Sequence, residues 1–248
     1  MKETVLMIPG TLCDEALFQH QVKALTTVAH CIAADHSSAA DLQQQAQNIL
    51  NSVEGNFTVM GLSYGGIIAF ELWRQAPQRI NRMILLNTTH KPPSEKTRAL
   101  QQKLVAMADS GQFREITSGV LKDAMLHPAH ATNQALRQVV LQMALNTGRE
   151  GFINQVKSQL GRPDSTPDLP GIQCPVLLIT GNEDNICTPE IHKEMEALIP
   201  GSTLEIIDHC GHLSTLEQPQ RVNEIILNWW QNSNKQEEQK ASIDYAEK

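Results

Sequence analysis

Phe57-Thr58-Val59-Met60-Gly61-Leu62-Ser63-Tyr64-Gly65-Gly66 is the stretch whose reading decides the fold. A short apolar run leads into Gly-x-Ser-x-Gly, and a helical pattern follows over 65–75. A strand that turns sharply into a helix pushes the side chain at the bend, here Ser63, into the open. Glycine at 61 and 65 has a steric reason: the two limbs of such an elbow approach closely, and a β-carbon there would collide. The competing reading is a Gly-rich turn with an idle serine, and the rest of the chain must decide between them.

Working outward, apolar runs that read as strands occur at 4–8, 30–34, 57–60, 82–87, 176–180 and 203–207. Helical spacing of apolar residues marks 14–26, 41–53, 65–75, 189–198 and 219–230, with Asp14 placed to cap the first of these. Six strands alternating with helices imply an α/β fold with a mainly parallel sheet covered by helices on both faces. The rhythm breaks once. From 88 to 171 only helical patterns occur, expected at 94–109, 113–126, 132–146 and 150–159, between Pro92-Pro93 and the prolines at 163, 167 and 170. The chain is therefore expected to be one domain over 1–230, with a helical insertion at about 90–170 after the fourth strand. The polar residues 231–248 are expected to form a flexible tail.

Composition narrows the class. The 248 residues are 41% hydrophobic and 19% charged, ordinary for a globular protein with a large core. No apolar run is long enough for a membrane span, and the N-terminus lacks the apolar stretch of a secretion signal. Five cysteines, odd in number and without a Cys-x-x-Cys, favour reduced thiols and a cytoplasmic location. Net charge is −7, and no nucleic-acid partner is expected. Residues 91–162 nevertheless hold ten Lys/Arg against five Asp/Glu, so +5 lies there and −12 on the remainder. Such a basic segment can steer anionic ligands, or it can be a set of unrelated solvated helix faces.

A serine hydroxyl needs a base within hydrogen-bond reach, and the base needs a partner that fixes its tautomer. Asp184, in Gly181-Asn182-Glu183-Asp184, follows the fifth strand, and His212, in His209-Cys210-Gly211-His212, follows the sixth. Loops at the carboxyl ends of parallel strands are where an open α/β sheet meets its ligands, so both are expected at the sheet edge that carries Ser63. His209 is the rival base, and Asp208 and Glu183 the rival acids. The pairs His209-x-x-His212 and His127-x-x-His130 lack a neighbouring carboxylate or cysteine cluster at helical spacing, so no metal is expected. Acyl chemistry also needs oxyanion donors. The Tyr64 N–H, just after the nucleophile, is one candidate. The other lies in Pro9-Gly10-Thr11-Leu12, with Thr11 preferred and Leu12 in reserve.

With these residues in hand, the chain resembles the α/β-hydrolase superfamily. The resemblance covers 4 to about 230 and rests on Gly61-Leu-Ser63-Tyr-Gly65-Gly66, Gly181-Asn-Glu-Asp184, Gly211-His212 and Pro9-Gly10. It is similar above all to the small capped esterases: carrier-protein methyl esterases, enol-lactone hydrolases and succinyl-hydroxy-cyclohexadiene-carboxylate synthases. The first strand here corresponds to that family's third and the fourth to its sixth, so the usual N-terminal hairpin is not expected. Pro9 stands where many relatives have His. A serine at 63 argues against the dehalogenase and epoxide-hydrolase branches, which carry Asp there.

The resemblance implies a serine hydrolase acting on a small carboxylic ester or thioester through an acyl-enzyme, without a cofactor. The basic insertion adds the expectation of an anionic substrate, or one linked to a carrier protein or coenzyme A. Two other classes remain at this stage. One is a lyase or synthase with the same triad, the other a ligand-binding protein on this fold. In the insertion, Met107, Met125 and Met143 with Leu104, Leu121, Leu126, Val139, Val140 and Leu145 either line an apolar acyl pocket or form the insertion's own core.

Overall fold

A computed structural model of the chain describes residues 2–117, 125–130 and 132–246, with side chains to 235. Six strands form one sheet: β1 (Glu3–Ile8), β2 (Ala29–Ala33), β3 (Phe57–Leu62), β4 (Ile80–Leu86), β5 (Val176–Gly181) and β6 (Thr203–Ile207). The order is β2-β1-β3-β4-β5-β6, and every neighbouring pair is parallel. All six residues of β3 and all six of β5 are buried, as strands covered on both faces require.

Two layers of helices provide that cover. Helices α2 (Leu42–Ser52) and α3 (Tyr64–Gln75) pack on one face, where Ile49, Phe70 and Leu72 meet Leu6, Val59 and Leu85. Helices α1 (Gln19–Leu25) and α7 (Pro219–Ala246) pack on the other, where Leu25, Val222 and Ile226 meet Val5, Met60 and Ile84. Local chemistry sets several boundaries. Asp14 accepts from the Ala16 N–H to open a 3-10 turn ahead of α1, and Asp41 accepts from the Gln44 N–H at the start of α2.

The strand order reverses direction at β1, so the loops after β1 and β3 leave the same edge side by side. That crevice is where an open α/β sheet offers a binding site. Ile8 lies opposite Gly61 in the register, one residue before Pro9-Gly10 and two before Ser63.

Between β4 and β5 the described residues contain helices and no strand. Helix α4 (Glu95–Asp109) is capped by Ser94, and helix α5 (Gln134–Leu160) by Asn133. The two helices expected at 132–146 and 150–159 are found within 134–160, one on each side of Gly148, whose φ 69° and ψ 172° are not helical. Of the helix expected at 113–126, Phe113–Glu115 is helical, and 118–124 lie outside the described residues. Leu104, Ala108, Phe152, Ile153 and Val156 give this segment a core of its own, and Leu12 from the loop after β1 joins it. Over the polar residues expected to form a flexible tail, the backbone is helical to Ala246, continuing α7 from Val222, Ile226 and Trp230 in the core. No helix of the described residues is long and apolar enough to cross a membrane.

Candidate active site

Ser63 joins the end of β3 to the start of α3 with φ 55° and ψ −113°, a conformation rare for any residue with a side chain. Close packing holds it there. A β-carbon on Gly65 would lie 1.9 Å from the Ile8 carbonyl oxygen, and one on Gly61 would lie 2.4 Å from the Gly65 carbonyl oxygen. The Ser63 N–H donates to the Leu86 carbonyl at 2.9 Å, and Thr88 Oγ1 donates to the Ser63 carbonyl at 2.7 Å. Strain of this kind, of order 1–3 kcal/mol, persists only where neighbours over-determine the backbone.

The three residues expected to meet do so. His212 Nε2 lies 2.9 Å from Ser63 Oγ, and His212 Nδ1 lies 2.9 Å from Asp184 Oδ2. Asp184 and His212 are each 2% exposed. Asp184 Oδ1 accepts from the Ile186 and Cys187 N–H groups at 2.8 and 3.0 Å, and Oδ2 also accepts from Asn87 Nδ2 at 3.0 Å. Burial pushes the Asp184 carboxyl upward. The charge of His212 and the hydrogen bonds from His212, Asn87 and Cys187 outweigh it, so the group is held below the usual carboxylate range.

The rivals fall elsewhere. His209 and Asp208 are exposed. Glu183 turns its Oε2 onto the Cys210 N–H at 2.9 Å and braces the loop that carries His212. Among the described residues, neither histidine pair read from spacing forms a donor group by itself. Instead His127, Glu183 and His209 bring donor atoms within 4.8 Å of one another. Within that group His127 Nδ1 already accepts from the Ala129 N–H.

The two oxyanion candidates in the β1 loop are distinguished by their partners. The Leu12 N–H donates to Gln155 Oε1 of α5 at 3.0 Å. The Thr11 N–H has no acceptor among the described residues. A β-carbon on Gly10, one residue before Thr11, would lie 3.3 Å from Ser63 Cβ, so this loop lies against the Ser63 side chain. Tyr64 is the first residue of α3, and its N–H has no intrahelical partner. The Tyr64 ring is fully buried and its hydroxyl donates to Ser158 Oγ at 2.7 Å, which ties α3 to α5.

Several contributors were not foreseen. Asn87 adopts φ 46°, holds Asp184 and the Gly211 carbonyl through Nδ2, and accepts from Ser214 Oγ at 2.5 Å. An Asn directly after a strand is a signal for such a left-handed turn. Gln155 also places Nε2 3.0 Å from His36 Nε2, and His36 Nε2 lies 3.1 Å from the Gly10 carbonyl oxygen. Glu217 accepts from the His127 and Leu213 N–H groups, joining the insertion to the loop after His212.

A cavity of about 290 Å³ opens on Ser63. Of the two readings of the insertion's Met and Leu residues, pocket lining or core, all the described ones but Leu145 follow the second. Leu104, Met125, Leu126, Val140 and Met143 are buried in the cores, Met107 and Val139 pack against them, and Leu145 is exposed. Leu121 lies outside the described residues. The cavity wall is mostly apolar surface, with Ile67, Pro92, Ile186 and Ile191 in it, and Lys91, Ser94, Gln101, Gln159 and Arg162 supply its polar groups. Arg162 is pulled down to about 10, by burial first and by the positive Arg98 nearby, against an opposing contribution from Cys187.

The chain belongs to the alpha/beta hydrolase fold family, whose pattern it matches over residues 34–219. Among characterised relatives it is 22% identical over 192 residues to 2-hydroxy-6-oxononadienedioate/2-hydroxy-6-oxononatrienedioate hydrolase of Pseudomonas sp. That alignment covers 69% of this chain and 62% of the relative. It is 25% identical over 188 residues to the pimeloyl-[acyl-carrier protein] methyl ester esterase of Nitrosomonas europaea, covering 73% of each. With 3-oxoadipate enol-lactonase 2 of Acinetobacter baylyi the figures are 28% over 175 residues, covering 68% and 61%. The match thus spans less than two thirds of the length of the first and third. A thermophilic esterase from Thermogutta terrifontis superposes with a TM-score of 0.85 at 24% identity, over 94% of this chain and 91% of that one, which is a likeness of fold.

Proposed function

We propose that the chain is a serine hydrolase that cleaves a small carboxylic ester or thioester through an acyl-enzyme. The observation that carries this reading is the unbroken hydrogen-bond line from Asp184 through His212 to Ser63, at 2.9 Å per link. His212 takes the Ser63 proton as Oγ attacks the carbonyl carbon. Asp184 holds His212 with Nδ1 protonated and Nε2 free to accept, and stabilises the imidazolium that forms. The N–H groups of Thr11 and Tyr64 receive the developing oxyanion, each such donor being worth about 3 kcal/mol of barrier. His212 returns the proton to the leaving alcohol or thiol, then activates water against the acyl-enzyme. No step calls for a cofactor. The helices between β4 and β5 act as a cap over the site, within a single domain.

Size and charge frame the substrate. A cavity of about 290 Å³ is at the lower end of small-molecule sites, which favours a short acyl group over a long lipid chain. Arg162 in its wall, beside a Lys91 already paired with Glu194, favours an anionic substrate, free or linked to a carrier protein or coenzyme A. The three relatives named above all act, by their names, on dioates, a carrier-linked ester or an oxoadipate lactone. All five cysteines are free thiols, which supports a reducing, cytoplasmic setting. A second reading, carbon–carbon or proton-transfer chemistry with the same residues, is favoured by a 25% identical relative in Bacillus subtilis assigned as a 2-succinyl-6-hydroxy-2,4-cyclohexadiene-1-carboxylate synthase. A panel of esters and thioesters of graded chain length separates the two. Hydrolysis of short members, reduced at least about a thousandfold in Ser63→Ala, is the expected result. A Ser63→Ala variant with full activity would remove Ser63 from the chemistry.

A further inference from the structure

We propose that Arg162 anchors a carboxylate carried by the substrate itself, so that the preferred substrates are short monoesters or monothioesters of dicarboxylic acids. This rests on the reading of Ser63 as the nucleophile and names the chemistry of a second group in the wall of its cavity.

Arg162 and Ser63 line the same cavity of about 290 Å³. The guanidinium donates through Nε to the Lys91 carbonyl at 2.9 Å and through Nη1 to the Gln159 carbonyl at 3.0 Å. A guanidinium has five N–H donors. The other three have no acceptor among the described residues, and both acceptors in use are neutral. The acids that follow Arg162 in sequence, and the one that meets Lys91, are committed elsewhere. Asp164 accepts from the Thr166 N–H and hydroxyl, Asp168 pairs with Arg74, and Glu194 pairs with Lys91. Lys91, the other cation of the wall, is thereby neutralised, and Arg162 is left as the uncompensated charge. Two backbone carbonyls fix the fork from behind, which pre-orders it for a planar, bidentate partner.

A second polar atom of the wall is also without a partner: Gln101 Oε1 is buried and accepts nothing. Gln101 Nε2 lies 3.4 Å from Gln159 Oε1, and Gln159 Nε2 donates to Thr11 Oγ1 at 2.8 Å. A polar chain therefore runs from Gln101 in the cavity wall to the loop that carries the Thr11 N–H. A substrate carboxylate gripped by Arg162 would set the scissile carbonyl against Ser63 by distance, and the small volume limits how many carbons can separate the two. A phosphate on a carrier arm would call on the same guanidinium, and the test keeps these sources apart.

The experiment uses the wild-type protein and a fluorophosphonate probe that labels Ser63, read by intact mass. Succinate and glutarate are expected to slow labelling, while succinamide and inorganic phosphate at the same concentration and ionic strength are not. In steady state, the ratio of kcat/KM for monomethyl glutarate over dimethyl glutarate is expected to fall at least tenfold in Arg162→Gln, mainly through KM, and to recover in part in Arg162→Lys. Equal labelling with dicarboxylate and diamide overturns the inference, even if the variants fail to fold. Phosphate protecting as well as the dicarboxylates overturns the choice of a carboxylate. If Ser63 is not labelled at all, the hydrolase reading fails first and this one with it. Labelling without dicarboxylate protection removes this one alone.

Discussion

Asp184 shows how one buried carboxylate is made safe. Four donors converge on it, two from its own loop and two from Asn87 and His212. Asp184→Asn keeps the shape but removes the charge that fixes the His212 tautomer, so kcat on the best ester is expected to fall by about 10³–10⁴ with the fold retained. A variant with more than a tenth of wild-type kcat would contradict the role given to Asp184. Because its folded pKa is lowered, the stability that Asp184 contributes is present above the ordinary carboxylate pKa. It is lost only as pH falls through that lower value, below the usual range. Ser63, Asp184 and His212 were legible in the sequence because each follows a strand, in the order this chemistry uses. Asn87, Gln155 and Arg162 were not. Gln155 meets Leu12 across 143 residues of chain, and no local spacing records such a contact.

At the scale of elements, the bend in α5 lets one run of residues serve two surfaces. Before Gly148, Val140 and Met143 join the main core, and after it Phe152 and Val156 join the insertion's own core while Gln155 reaches the β1 loop. Gly148 has φ 69° and ψ 172°, a region that is essentially glycine-only, and a β-carbon there would meet nothing within 4 Å. Gly148→Ala is therefore a test of backbone strain without a clash. It is expected to cost about 1–3 kcal/mol and to lower the thermal midpoint by several degrees. An unchanged midpoint would mean that the bend stores no strain. The break between the two helical patterns was visible in the sequence, and Gly148 is where the chain leaves helical geometry. The helical patterns likewise gave the insertion's apolar residues without saying which cores they enter, because helices that bury one stripe look alike whatever they pack against.

At the scale of the molecule, the α/β rhythm made the layers legible, whereas the strand order depends on contacts between distant segments. One buried group links the whole fold to pH. His192 on α6 (Pro189–Leu198) is fully buried, accepts from the Thr88 N–H at 3.2 Å and places Nδ1 3.1 Å from the Thr188 carbonyl. Burial pushes it down to about 4. Between that value and the unfolded pKa near 6.5 the unfolded chain binds the extra proton, so stability rises with pH across this window and is lost on acidification through it. At about 1.4 kcal/mol per unit, His192 should account for roughly 3 kcal/mol of the loss. Urea unfolding at pH 7 and pH 4.5 checks this: His192→Gln should lose less stability than wild type over the interval, and equal losses would exclude the assignment. The central claim, that Ser63 at its strained elbow is the nucleophile, has a more direct test. Treat wild type and Ser63→Ala with a fluorophosphonate, then measure intact mass and map the modified peptide. One adduct per chain on Ser63, absent from Ser63→Ala, is the predicted result; an unmodified wild type, or an adduct that persists in Ser63→Ala, would contradict it.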